Sequence, residues 1–388
     1  MNEKTLREEI ASLPADLRRH LDESGFDADR LVALARPLWS RAPGASGQKD
    51  ERNRVRGTVE APRASDILDA PQPGSPEHAA CEAGGLEAIR RGELALCVLA
   101  GGMATRMGGV VKALVEAFDG HTFLDLRLRE NATWSARAGR PVPLWLMTSD
   151  ATDGPTREAL KKANASAHVA TFRQDVGLRL TPEGSLFRDE QGAASTYSPG
   201  HGDLPDALRR SGLLERFVAS GGRTVWIANL DNLGASIDSA ILGLFVKTKA
   251  DVMVEVAPKE AGDKGGIPAW ADTPDGRRLQ VLEEFRLPPG FDAASVRVFN
   301  TNTFLVRAEP LLSTPIRWNW FEVEKKVDGR TAVQFERLLQ ELTAAMPAAY
   351  VRVPREGALA RFLPVKDHEE LARRREAIRQ VAAARGMI

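Results

Sequence analysis

The sequence predicts an α/β protein: a mainly parallel or mixed central sheet flanked by helices, preceded by a helical N-terminal segment. Three observations predict it. Runs of strand length, such as Leu94 to Ala100 and Thr224 to Leu230, are apolar at nearly every position, the pattern of strands covered on both faces. Between them lie segments whose apolar residues recur at threes and fours, as on one face of a helix. The two kinds of segment alternate, which is how helices come to cover both sides of a parallel sheet. With 388 residues, 43% hydrophobic and 27% charged, the chain can bury a large core.

Taken in order, Thr5 to about Arg41 carries Leu6, Ile10, Leu13, Leu17, Leu21, Leu31, Leu34 and Leu38 at helical spacing, with a break near Gly25. Residues 42–72 are rich in Gly, Ala, Pro, Arg and Asp with little periodicity and read as a linker. A helix over Gly85–Arg91 leads into the strand at Leu94. A glycine-rich loop follows, then a helix over Leu124–Ala138, a strand over Pro143–Thr148, a helix over Gly154–Asn164 and a strand over Ala167–Arg173. A helix over Leu204–Ser220 precedes the strand at Thr224, and a charged helix, Asp367 to Arg385, closes the chain. The expected division is 1–83 as helical segment plus linker, 84–366 as catalytic domain, and 367–388 as C-terminal helix.

Lys plus Arg and Asp plus Glu number 53 each, so the net charge is zero. No global field favours nucleic acid or an anionic membrane, and any anion site has to be a local cluster. Cys81 and Cys97 are too few for a disulfide framework. No signal core follows Met1 and no uncharged run approaches the ~18 residues that span a bilayer. The expectation is a soluble cytoplasmic protein acting on small molecules, with no nucleic-acid or membrane partner.

The most informative stretch is Val98 to Lys112, V-L-A-G-G-M-A-T-R-M-G-G-V-V-K. An apolar strand stops at Gly101-Gly102, and the turn that follows holds Thr105, Arg106, Gly108, Gly109 and Lys112. Glycines let backbone N–H groups approach an anion, and an Arg and a Lys in one loop add fixed positive charge. Neither G-x-x-x-x-G-K-[ST] nor G-x-G-x-x-G is present, so neither a P-loop nor a dinucleotide fingerprint is indicated. Asp231, directly after an apolar strand, sits where a carboxylate can face a cleft and hold a hard cation against phosphate oxygens. Capping of the following turn is the other reading of that Asp. Open α/β sheets bind ligands at the carboxyl ends of their strands. The glycine loop, Met147-Thr148 and Asn229-Leu230-Asp231 all fall at such ends.

The loop resembles L-x-G-G-x-G-T-x-x-G…K, the signature of nucleotide-sugar pyrophosphorylases. Four further segments sharpen the resemblance: Y-S-P-G-H-G-D at Tyr197–Asp203, N-L-D-N-L-G-A-S-I-D at Asn229–Asp238, K-G-G at Lys264–Gly266 and F-N-T-N at Phe299–Asn302. R-F-L-P-V-K at Arg361–Lys366 is a fifth. Weaker echoes are F-L-D-L at Phe123, P-L-W-L-M-T-S at Pro143, F-R-Q at Phe172 and K-x-V-D-G at Lys325. In this order, over roughly residues 84 to 372, they resemble the eukaryotic-type UTP–glucose-1-phosphate uridylyltransferase family.

That resemblance implies a Rossmann-like nucleotide-diphospho-sugar transferase fold and a Mg²⁺-dependent reaction of UTP with a sugar 1-phosphate. It implies Arg106, Lys112 and Lys366 as catalytic cations and Asp231 as the metal ligand. The nucleotide would meet Ala100, Gly101, Gly102, Met147, Gln174 and Gly200. The sugar phosphate would meet His201, Asn229, Gly266, Glu283, Asn300, Asn302 and Lys325.

Departures are specific. Ala104 stands where relatives carry Gly, the loop reads one residue short, and Thr105-Arg106 is closer to the N-acetylhexosamine and bacterial enzymes. After Lys366 the C-terminal β-helix domain of typical members is not expected, so their oligomerisation does not transfer and a monomer stays open. Another sugar 1-phosphate (galactose or N-acetylglucosamine) and a non-catalytic UDP-sugar-binding homologue are the alternatives.

Overall fold

A computed structural model describes residues 2–40, 48–104, 107–260, 262–263 and 265–388. Its centre is an eight-stranded sheet. In chain order the strands are β1 (Ile67–Asp69), β2 (Leu94–Leu99), β3 (Leu144–Thr148), β4 (Val169–Arg173), β5 (Thr224–Asn229), β6 (Val252–Pro258), β7 (Val298–Arg307) and β8 (Ala348–Arg352). Their spatial order is β1-β8-β6-β7-β5-β2-β3-β4, and only β7 runs against its neighbours.

Alternation along each strand sorts side chains into two layers. On β2, Leu94, Leu96 and Val98 enter one apolar cluster and Ala95 and Cys97 the other. The principal helices are α1 (Glu3–Ala11), α2 (Ala15–Glu23), α3 (Ala28–Trp39), α4 (Pro76–Arg90), α5 (Phe123–Ala138), α6 (Asp150–Lys162), α7 (Leu204–Arg210), α8 (Leu213–Ala219), α9 (Ser239–Lys247) and α10 (His368–Ala384). The first face is covered by α4, α5, α9 and α10 through Ile89, Phe123, Phe245 and Ile378. The other is covered by α7, α8 and the hairpin Ile267–Leu282, through Leu208, Phe217 and Val281. Capping fixes where these helices start: α5 opens on a reciprocal Thr122–Asp125 box and ends at Gly139 with φ 67°.

The segment expected as a linker is tied into the fold. Glu60 pairs with Trp270, the Trp270 indole N–H donates to Asp66 at 2.9 Å, and Ile67–Asp69 forms edge strand β1 beside β8. The expected boundary at residue 83 therefore does not separate two packing units, and α10 likewise places Leu371, Ile378 and Ala382 in the main core. The expected helix over Leu204–Ser220 is two, broken where Gly212 takes φ 69°. A satellite core joins α1–α3 to Val176, Leu178, Leu180 and the hairpin Phe321–Glu336, through Leu6, Leu21, Val32, Val333 and Phe335. Among the described residues no helix is long and apolar enough to cross a membrane.

Candidate active site

From β2 the chain winds outward to β3 and β4, then returns to lay β5 on the opposite side of β2. Leu99 and Asn229 are partners at the carboxyl ends of these two strands, and the Leu230 N–H still reaches the Leu99 carbonyl at 3.3 Å. That point is the switch point of the sheet, where open α/β sheets bind ligands in the crevice between diverging loops.

The loop after β2 turns through Gly101 and Gly102, forms a short hairpin of Met103–Ala104 with Val110–Val111, and closes where the Lys112 N–H donates to the Gly102 carbonyl at 3.2 Å. The Lys112 ammonium then crosses to Asp231 Oδ2 at 2.6 Å. That oxygen also accepts the Val365 N–H at 3.3 Å. Three motifs distant in sequence thus meet at one carboxylate. Lys366 follows immediately, with an exposed side chain and its N–H on Glu370 at 2.8 Å.

Behind Asp231 lies a buried scaffold that sequence reasoning missed. Arg127 of α5, fully buried, donates to the carbonyls of Asn229 at 3.0 Å, Asn232 at 2.6 Å and Ala235 at 3.2 Å. Glu130, one helical turn on, balances its charge at 2.7 Å and accepts the Ile237 N–H at 2.8 Å. The Asn232 amide donates to the Arg361 carbonyl at 3.0 Å and accepts from Leu363 N–H at 2.8 Å. Arg361 itself forks onto buried Glu255, at 2.8 and 2.7 Å. The available signal was an Arg and a Glu three apart on a helix face that also carries Phe123, Leu124 and Trp134, a pairing that burial makes obligatory.

One wall of the crevice is formed by Gly101, Gln174 and the Gly200–Asp203 turn. The Ser149 hydroxyl donates to the Gly101 carbonyl at 2.9 Å, and buried Gln174 lies so close that a Cβ on Gly101 would stand 2.9 Å from its Oε1. At Gly102 the same position is open. The Met147 carbonyl is engaged by the Ala100 N–H at 2.8 Å within the sheet. His201 Nδ1 accepts the Leu339 N–H at 2.9 Å, and burial lowers the imidazole to about 4, so it is neutral with its proton on Nε2.

The opposite wall gathers Asn229, Asn302, Asn300, Gly266 and Glu283. A bulge in β7 shifts its register against β6 between Glu255 and Val256, and Asn302 takes φ 59°, a conformation Asn tolerates better than most residues. The bulge turns Asn302 Nδ2 onto Asn229 Oδ1 at 2.9 Å, while Asn300 Oδ1 accepts the Asn302 N–H at 2.9 Å. The Asn300 N–H donates to the Gly266 carbonyl at 2.8 Å. Burial raises the Glu283 carboxyl, helped by neighbouring Glu284 and opposed by the Gly266 N–H; its Oε1 accepts from Gln340 at 2.5 Å.

Not every expected residue joins this group. The Lys325 ammonium pairs with Glu336 on the adjacent hairpin strand at 3.6 Å. Arg106 and Lys264 lie outside the described residues.

The family model described as UTP–glucose-1-phosphate uridylyltransferase matches residues 59–383. The chain belongs to that family. The probable UTP–glucose-1-phosphate uridylyltransferase of Schizosaccharomyces pombe is 31% identical over 390 residues, covering 95% of this chain and 73% of its own. The Musa acuminata uridylyltransferase is 32% identical over 304 residues, covering 74% of this chain and 63% of its own, so the chain spans under two thirds of that relative. A crystal structure of the Trypanosoma brucei UDP-glucose phosphorylase shares the fold with a TM-score of 0.72 at 23% identity, over 92% of this chain and 77% of that one. A point mutant of the Leishmania major UDP-glucose pyrophosphorylase, solved in complex with UDP-glucose, gives 0.67 at 21% identity, over 95% of this chain and 78% of that one. The family match embraces both walls of the crevice and the Lys112–Asp231 pair.

Proposed function

We propose that this uridylyltransferase-family protein makes UDP-glucose and pyrophosphate from UTP and glucose 1-phosphate in the cytoplasm. One observation carries the reading: Lys112 and Asp231 meet at the switch point of the sheet, between a wall with a buried amide and glycines and a wall of asparagines with a carboxylate. Two free buried cysteines, Cys81 and Cys97, suit a reducing compartment.

In the proposed reaction an oxygen of the sugar 1-phosphate attacks the α-phosphorus of UTP in line, and the bond to the leaving pyrophosphate breaks. No covalent enzyme intermediate is required, so the protein's task is positioning and charge neutralisation. Gly101 and Gly102 give the phosphates a close approach to backbone, and Lys112 supplies positive charge. Arg106, in the same loop, and Lys366, next to the Val365 contact with Asp231, are the further cations of this reading. Gln174 and Gly200 read uracil by hydrogen bonding and packing, with the Met147 backbone behind them. His201, Asn229, Gly266, Glu283, Asn300 and Asn302 hold the sugar phosphate, and Lys325 would have to leave Glu336 to join them.

The donor set fits Mg²⁺ as a substrate-shared ion. Among the described residues no three His, Cys, Asp or Glu side chains cluster as a metal cage, and Asp231 offers a single partly buried carboxylate. Mg²⁺ is commonly held by one or two carboxylates plus substrate phosphates. Asp231 would hold it, and the ion would neutralise phosphate charge as it develops. Pyrophosphate release from UTP, Mg²⁺ and a panel of sugar 1-phosphates tests the reading. Glucose 1-phosphate should give the highest kcat/KM. A higher value for the N-acetylglucosamine or galactose compound would reassign the sugar, and no release with any of them would sink the enzymatic reading.

A further inference from the structure

The uridine wall is held by a residue that no motif marks. Arg337 follows the hairpin strand Arg330–Glu336 and is 1% exposed. Its guanidinium donates to three carboxylates: Asp203 at 2.6 Å, Asp175 at 2.6 Å and Asp206 at 2.5 Å. The rings of Trp318 and Trp320 each lie 5.1 Å from it. Asp175 is the residue after Gln174, and Asp203 ends the turn that holds Gly200 and His201. The Asp175 N–H also donates to Asp203 at 3.2 Å.

The Arg337 backbone serves the same turn. Its N–H donates to the Pro199 carbonyl at 2.9 Å, and its carbonyl accepts the Gly202 N–H at 3.1 Å. A Cβ on Gly200 or Gly202 would stand 2.8 or 2.6 Å from Arg337 backbone atoms. The two glycines flanking His201 are therefore needed to seat Arg337.

We propose that Arg337 is a positioning residue for nucleotide binding, one side chain that fixes the Gln174 turn and the Gly200–His201 turn at a set separation. The inference rests on the uridylyltransferase reading above. Three carboxylates face it, and the guanidiniums of Arg210 on Asp175 at 2.6 Å and Arg209 on Asp206 at 3.0 Å complete a balanced cluster. For stability alone an apolar cluster of similar volume serves as well as a buried ionic one. The directional bonds instead set the distance between two loops that contact one ligand. The Arg337 guanidinium is buried and spends its bonds on protein carboxylates, so its effect on a ligand has to pass through the two turns it holds.

The test is steady-state kinetics of the full chain, with the KM for UTP and for glucose 1-phosphate measured separately, beside thermal melting. Arg337→Met should raise the KM for UTP by about tenfold, with the KM for the sugar within about twofold and kcat less affected than the KM for UTP. Arg337→Lys, which keeps the charge and loses the fork, should fall between it and the parent. Asp206→Asn, removing only the outermost carboxylate, should give the same split at about threefold, and it decides the matter if Arg337→Met does not fold. Equal rises in both KM values, or a lowered melting temperature with an unchanged KM for UTP, would overturn the proposal. If the parent protein turns over no sugar 1-phosphate, the uridylyltransferase reading fails. UTP binding by calorimetry to the parent and the Asp206→Asn variant then decides the role of the cluster: weaker binding supports it and equal binding ends it.

Discussion

The loop after β2 and the loop after β5 meet at the Lys112–Asp231 pair, but they are supported differently. Around Asp231, three backbone carbonyls converge on buried Arg127, and both ends of the Asn232 amide are bonded to the Arg361–Leu363 segment. Among the described residues, the glycine loop is held by backbone closures, by the Ser149 hydroxyl and by Ala104, Met107 and Val111 in the main core, and a Cβ at Gly102, Gly108 or Gly109 would meet nothing within 4 Å. The difference suits the proposed chemistry. A carboxylate that holds a cation works best when it does not have to reorganise, whereas a phosphate cradle can shape itself around its ligand.

The sharpest way to break the comparison is at its meeting point. Lys112→Ala should lose about 100-fold in kcat, as expected for one charge contact removed from a preorganised site. Asp231→Asn should lose at least as much and should not recover in excess Mg²⁺, because the amide is a poor ligand for a hard cation. Near-normal turnover in either variant, or full activity in excess chelator, would refute these roles.

Next in size is the stability of the two loops themselves. Arg127→Met leaves Glu130 buried without its counter-charge and takes one donor from each of three carbonyls, so urea unfolding should register a loss of about 3–5 kcal/mol. Gly108→Ala, at φ 83° with open space for a methyl group, should cost only about 1–2 kcal/mol. Equal losses would mean that the glycine loop is as rigidly built as its neighbour.

Legibility in the sequence follows the same divide. Strands β2, β3 and β5 were readable because two-sided burial makes them apolar at almost every position, and the glycine loop because its glycines stand where β2 stops. The three-residue edge strand β1 was not, since its side chains are largely exposed and its surroundings resemble a linker. The β7 bulge follows from long-range pairing, which local pattern does not encode. Arg337 and Arg361 read as ordinary solvated charges, because their carboxylate partners lie far away in the chain. Arg337 and Asp175 are 162 residues apart, Arg361 and Glu255 106.

Beside Gln174, two adjacent glycines give a finer contrast. Gly101→Ala would force the Gln174 amide out of its buried position and should raise the KM for UTP by roughly five- to tenfold, with little change in the KM for the sugar. Gly102→Ala has room for the methyl group, and about twofold is the expected limit. If the two variants behave alike, the base is not read beside Gly101.

The smallest effect concerns His201, whose imidazole accepts the Leu339 N–H from the segment that carries Arg337. Burial holds its imidazole at about 4 against an ordinary value of 6.5. Between those values the unfolded chain binds a proton that the native protein refuses, so acidification through that window favours unfolding, and above it the effect vanishes. Asp203, two residues on, acts in the opposite sense. Burial raises its carboxyl to about 7, so in mildly acidic solution the native state holds a proton that the unfolded chain, near 3.8, releases. A pH profile of the parent protein alone would mix the two. His201→Asn removes the first and keeps the second, and its amide oxygen can still accept the Leu339 N–H. Between about pH 7.5 and pH 5 the urea midpoint of the variant should therefore fall less than that of the parent, closing part of any gap at neutral pH. Parallel profiles would show that the imidazole is not held neutral by its surroundings.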